Sequence, residues 1–141
     1  MTTTATNRAQ NRGLLVLRLG IGLMFIQHGS LKLMGGPMLW EKLGQAAGNF
    51  GITVYPVFWG FLAAATETLG GLFLILGILF GPSCFFLMIV MVVAATMHLK
   101  RGDGLQGASH AMEMAIVFLS LMWIGPGAYN LGEKIKSRRK T

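Results

Sequence analysis

The sequence predicts an all-α polytopic membrane protein: an antiparallel bundle of four transmembrane helices, with a short interfacial helix between the first and second. Three observations carry that prediction. The 141-residue chain is 53% hydrophobic and only 12% charged, with a mean hydropathy of +0.60, the balance of a membrane protein. Four apolar runs, at about 13–34, 56–80, 83–99 and 108–131, have lengths suited to a hydrocarbon core about 30 Å thick. The ionisable residues of the first run fall on one helical stripe, so that helix has an inner and a lipid-facing side.

The first span follows a polar, Thr-rich stretch, 1–12, that carries Arg8 and Arg12. Basic residues before an apolar run resemble the start of a signal peptide. Here, however, the run continues to Met34 and meets Gly35-Gly36-Pro37, not a small-residue cleavage site, so an uncleaved anchor is expected. Arg18, Gly22, Phe25, Gly29 and Lys32 are four or three residues apart and form one stripe, with His28 on its edge. Arg18 and Lys32 are separated by about 21 Å along the axis.

Residues 35–55 do not span. Pro37 opens a short helix, with Leu39, Leu43, Ala46 and Phe50 at helical spacing and Trp40 beside them, which suits the membrane interface. The alternative is an irregular glycine-rich loop. The second span contains one charge, Glu67, near its middle. Gly60, Ala63, Ala64, Gly70 and Gly71 lie around it, so Glu67 is expected in a tight helix–helix contact, with His28 favoured over Arg18 as its partner. A Gly81-Pro82-Ser83 turn leads into the third span, which is apolar until Thr96 and His98. A polar loop, 100–107, precedes the fourth span, where His110 and Glu113 share a face at i, i+3 and Pro126 breaks the helix near its end. The chain divides into a 1–12 tail, a 13–132 membrane domain and a basic 133–141 tail with Lys134, Lys136, Arg138, Arg139 and Lys140.

The net charge of +7 sits mainly in the two ends, which reads as an orientation signal and not as a nucleic-acid surface. Both termini are expected in the cytoplasm. That places His28, Lys32 and His98 in the outer leaflet, His110 and Glu113 in the outer third, Glu67 near mid-bilayer and Arg18 toward the cytoplasmic side. Cys84 is the single cysteine, which excludes an internal disulfide and a paired-thiol redox centre.

Ionisable groups at membrane depth are candidates for function. The ligand-binding candidates are Arg18, His28, Lys32, Glu67, His98 and Glu113; of these, His28, Lys32, Glu67, His98 and Glu113 are expected to converge on one outer-half pocket roofed by 35–55, with Trp40 or Phe50 limiting access. Each has a plainer reading. Lys32 and Arg18 can snorkel to headgroups, His98 can be a solvated helix end, and the two glutamates can serve structural pairing. No complete catalytic set is legible. No metal centre is expected: His28, His98 and His110 would be its candidates, but they come from three spans without a spacing motif.

Several of these residues also form recognisable motifs. Arg18-xxx-Gly22-xx-Phe25-xx-His28-Gly29-xx-Lys32 resembles the first-helix signature of the DoxX family, and Glu67-Thr-Leu-Gly70-Gly71-Leu resembles its second-helix motif. His98 at the end of the third span and Gly125-Pro126-Gly127-x-Tyr129-x-Leu131 fit the same pattern, over about 13–132. Ala128 and Gly132 depart from it, standing where an arginine and an aspartate are usual. The resemblance implies a four-helix bundle in a bacterial inner membrane. It also implies association with quinone-linked oxidoreductases, the founding relatives belonging with a thiosulfate:quinone oxidoreductase, or with oxidative-stress complexes.

Two functions follow as alternatives. One is a redox-associated subunit whose pocket binds a quinone or similar small molecule, with hydrogen-bond donors for carbonyls and a carboxylate or histidine to carry protons. The other is a non-enzymatic scaffold or carrier that recruits a partner protein, with metal binding as a third reading. The expected partners are membrane lipid, a protein of a redox or stress complex, and a second copy of the chain. Gly77-xxx-Gly81 offers a close-packing face for the last or for the bundle itself.

Overall fold

The computed structural model describes residues 2–132 and Ile135. Five α-helices follow in order: α1 (Thr2–Met34), α2 (Gly36–Gly44), α3 (Pro56–Leu76), α4 (Phe80–Arg101) and α5 (Gly104–Ile124), with a 3-10 turn over Gln45–Phe50 after α2. No strand occurs among the described residues. Four helices are long and apolar enough to cross a membrane: α1 from Asn7, α3, α4 and α5. The basic run from Lys134 to Lys140 lies outside the described residues.

The helices alternate in direction and pack in the order α1, α3, α4, α5, while α2 and the 3-10 turn lie over one end against α3 and α4. That end is called the α2 end below. Between α1 and α5 the ring is joined by Phe25 and Phe118, whose rings meet edge to face at 5.0 Å. Leu74, Phe80, Cys84, Leu87 and Leu121 complete the buried centre.

Glycines set the closest approach. A Cβ on Gly22 would lie 2.7 Å from the Gly71 carbonyl oxygen, and one on Gly71 2.6 Å from that of Gly22. Any side chain at either position would push α1 off α3, so this pair fixes the α1–α3 distance.

The sequence pattern misplaced three boundaries. The turn between α3 and α4 is Gly77-Ile78-Leu79, not Gly81-Pro82-Ser83. Gly77 adopts φ 67° and caps α3 through its N–H and that of Ile78, both bonded to the Phe73 carbonyl. Pro82 falls in the first turn of α4, where its missing N–H has no cost. Gly77 therefore ends a helix, so Gly77-xxx-Gly81 is not a helix face for packing. The α4–α5 connection is likewise only Gly102-Asp103, and α5 stops at Ile124 because Gly125 takes φ 81° ahead of Pro126.

Candidate functional site

The two charged residues of the α1 stripe sit in different surroundings. Arg18 is 1% exposed. Its Nε donates to the Leu74 carbonyl at 2.8 Å and its Nη2 to that of Ile75 at 2.7 Å. Its Nη1 donates to the Pro126 and Tyr129 carbonyls at 2.7 and 2.8 Å. The first two are carbonyls in the last turn of α3, where a cation also meets the negative end of the helix dipole. The other two belong to the chain after α5, which Gly125 and Gly127, both at positive φ, fold back over the guanidinium. The Phe80 ring stacks on it at 5.8 Å. Asn11 helps hold this clasp by accepting from the Ala128 N–H at 2.8 Å. Beside it, Gly132 faces the Gly77 carbonyl so closely that a Cβ would stand 2.9 Å away.

Lys32, in the last turn of α1, turns its side chain inward instead of snorkelling. Its Nζ contacts both oxygens of Glu67, at 2.6 and 2.7 Å. Glu67 is 2% exposed, while the Lys32 side chain keeps 32% of its surface. The small residues around Glu67 admit α1 this closely. A Cβ on Gly29 would lie 2.5 Å from the Thr68 amide nitrogen. The partner of Glu67 is thus Lys32 and not His28, because the stripe residue one turn nearer the α2 end carries the longer arm.

The pair borders a cavity of about 400 Å³ between α3 and α4, beneath the α2 segment. Its polar lining includes Lys32, Glu67, Thr66 and His98, and the rest is largely apolar. Leu62, Phe86 and Ile89 line it and are also 41%, 54% and 40% exposed on the bundle's flank. The mouth is therefore lateral, between two membrane-spanning helices. Leu43 to Ala47 contribute the roof, not Trp40 or Phe50. Trp40 packs on Phe61 at 5.0 Å and donates from Nε1 to the Lys32 carbonyl at 2.9 Å, bracing the residue that holds Glu67. Phe50 is 53% exposed.

Of the five residues expected to share one pocket, the fold brings together Lys32, Glu67 and His98. Arg18 is at the opposite end of the bundle. His28 is exposed on the edge of α1, and Glu113 is exposed on the outer side of α5, so neither lines the cavity. The i, i+3 face of His110 and Glu113 is real but points away from the core. The three histidines stay apart, and no group of three or more His, Cys, Asp or Glu side chains suited to a metal forms among the described residues. Asp103 was missed in the sequence. Its Oδ2 lies 2.7 Å from His98 Nδ1 and holds the ring at the cavity's edge. The five-residue spacing across a helix end gave no periodic signal for this contact.

Fold and site together define a small polytopic membrane protein with a buried ion pair beside a laterally open apolar cavity. The family model for DoxX matches residues 13–99, which run from α1 through α4. The chain belongs to the DoxX family. An uncharacterized membrane protein of Mycobacterium tuberculosis is 27% identical over 139 residues, covering 86% of this chain and 80% of that protein. No solved structure matches the chain.

Proposed function

We propose that this protein is a redox-associated membrane subunit that takes a tailed quinone, or a similar small molecule, from the bilayer into the cavity beside Lys32 and Glu67. One observation carries this reading: a buried ion pair opens on a 400 Å³ apolar cavity whose mouth faces the lipid flank. That volume falls within the range of about 300–1,000 Å³ usual for small-molecule sites. A lateral mouth suits a ligand already dissolved in the membrane, with an apolar tail trailing between α3 and α4.

The chemistry of the polar wall fits a quinone headgroup. The Lys32 ammonium has donors beyond those its carboxylate partner uses, and one can reach a carbonyl oxygen. Glu67 accepts a proton when the headgroup is oxidised and returns it when the headgroup is reduced. His98 offers a second exchangeable proton nearer the aqueous edge. Electrons would come from a partner protein of the inner membrane or from a soluble donor. With both termini in the cytoplasm of a bacterium, the cavity occupies the outer half of the inner membrane, and the orientation is testable by reporters fused to the C-terminus and to Gly102.

The experiment is lipid extraction and mass spectrometry of protein purified in mild detergent, followed by titration with a short-tailed quinone. The wild-type chain is expected to retain and rebind quinone, and Lys32→Met and Glu67→Gln to lose at least tenfold in affinity. Absence of quinone binding by folded wild-type protein, or equal binding by all three, overturns the reading.

A further inference from the structure

Gly70 brings α3 hard against α4: a Cβ there would stand 2.8 Å from Leu87 Cγ. Thr66, Ala63 and Trp59 share that face of α3, one turn after another from Gly70 toward the α2 end. All three line the cavity, which therefore begins where the two helices part above the Gly70–Leu87 contact. Thr66 is the first of them and the only polar one at this depth. Across from it α4 presents Phe86, Ile89, Val90, Val93 and Ala94, none with a hydrogen-bonding side chain. Glu67 lies with Ala64 and Gly71 on the adjoining face of α3, which meets α1 and Lys32.

Packing gives no reason for a hydroxyl at position 66. The four membrane-spanning segments contain seven serine and threonine residues. Six of them, Ser30, Thr68, Ser83, Thr96, Ser109 and Ser120, donate to a carbonyl one turn back, at 2.8–3.0 Å. Thr66 makes no hydrogen bond with any described residue, although its own helix offers the same one. Valine has the same shape and would line an apolar cavity without leaving a polar group unmatched. The donor at the cavity's floor is thus left unspent, and a ligand oxygen would complete it.

We propose that Thr66 is the second anchor of the ligand's head, an inference that rests on the quinone reading above. Its hydroxyl donates to one ring oxygen while the Lys32 ammonium holds another. A single contact through Lys32 would leave the ring free to turn about that oxygen, and the second contact fixes it. The ligand class narrows accordingly, to a flat ring with two acceptor oxygens and away from a lipid with one carbonyl. The walls suit a flat ring, since Ala63 on α3 and Ala94 on α4 are short on both sides. Thr66 thereby selects among membrane-dissolved ligands, a role distinct from the charge that Lys32 and Glu67 supply.

The test is equilibrium titration of the full chain in mild detergent with two probes. One is a short-tailed 1,4-benzoquinone, and the other a cyclohexenone with the same tail and a single carbonyl. Wild-type protein is expected to bind the quinone about tenfold more tightly, the equivalent of one added hydrogen bond. Thr66→Val should lower quinone affinity about tenfold and move cyclohexenone affinity less than about twofold. Thr66→Ser, which restores the donor, should keep most of the quinone affinity. The unfolding midpoint of Thr66→Val should equal or exceed that of the wild type, because no internal hydrogen bond is lost. Equal wild-type affinity for the two probes, unchanged quinone binding by Thr66→Val, or the same loss for both probes overturns the assignment of Thr66 and leaves the quinone reading standing. A wild-type chain that binds neither probe overturns both together.

Discussion

Arg18 and Lys32 share one face of α1, yet every hydrogen bond found for Arg18 ends on a backbone carbonyl, whereas Lys32 grips a side chain beside open space. Four carbonyls from two separated segments close around the guanidinium, whose planar fork supplies donors in fixed directions. Four of its five N–H donors are engaged, and at 1% exposure the side chain presents no surface to a ligand. The Lys32–Glu67 pair is also tight, but one of its walls is a cavity, and part of the lysine stays uncovered. Two inward-facing cations on one stripe therefore sit in different surroundings. One locks the bundle's far end, and the other charges the wall of a cavity. A count of polar contacts alone would rank Arg18 as the more important functional residue, and the surroundings reverse that ranking.

The sharpest way to break the comparison is to remove Arg18. Arg18→Met removes four hydrogen bonds to carbonyls, two of them at the end of α3, and frees the clasp after α5. We expect a loss of about 3–5 kcal/mol, from four hydrogen bonds to a charged donor that each contribute about 1.5–3 kcal/mol less the gain from no longer burying the charge. Arg18→Lys should recover little of it, since an ammonium cannot fork toward α3 and the α5 clasp together. Thermal unfolding in detergent measures both. A mild effect, with ligand binding abolished, would move Arg18 from lock to site.

The pair at the other end should give a smaller loss that a second change repairs. Glu67→Leu leaves an unmatched lysine, but that lysine is a third exposed and can swing to the headgroups, so we expect about 2 kcal/mol. Adding Lys32→Met to Glu67→Leu should restore at least half of this, because an apolar pair can replace a buried ion pair at little cost. Ligand binding should stay lost in the double variant. If stability is not recovered, the pair is a structural lock like Arg18, and the cavity beside it is incidental.

The ease with which each part could be read from the sequence follows the same division. The four spans, the inner stripe of α1 and the burial of Glu67 were legible, because hydrophobic runs and small residues at helical spacing report a helix's own environment. What lay beyond one helix was not. His28 and Lys32 are four residues apart on α1, and only side-chain length and the rotation of α1 on α3, set by the Gly22–Gly71 contact, decide which one reaches Glu67. The α3–α4 turn was misread because Gly81-Pro82 looks like a break, whereas Gly77 with φ 67° makes it four residues earlier. Glu113 was expected inside for a sound energetic reason, since an ionisable group within a span is costly against lipid, yet the rotation of α5 on α4 leaves it exposed.

His98 carries the smallest expected effect and separates site from lock most finely. It touches the cavity at its aqueous edge, and it also bonds Asp103 across the α4–α5 turn. Both side chains are about a third exposed, at 33% and 37%, so their pairing contributes under about 1 kcal/mol. His98→Gln and Asp103→Asn should therefore both shift the unfolding midpoint by little more than its error. They should part company in binding. Asp103 does not line the cavity and acts only by steadying the ring, so Asp103→Asn should cost quinone affinity about threefold or less. His98→Gln, which removes the ring and its exchangeable proton, should cost about tenfold, the equivalent of one lost hydrogen bond. Equal, negligible effects of the two substitutions on affinity would confine the site to Lys32 and Glu67 and return His98 to the turn it helps to close.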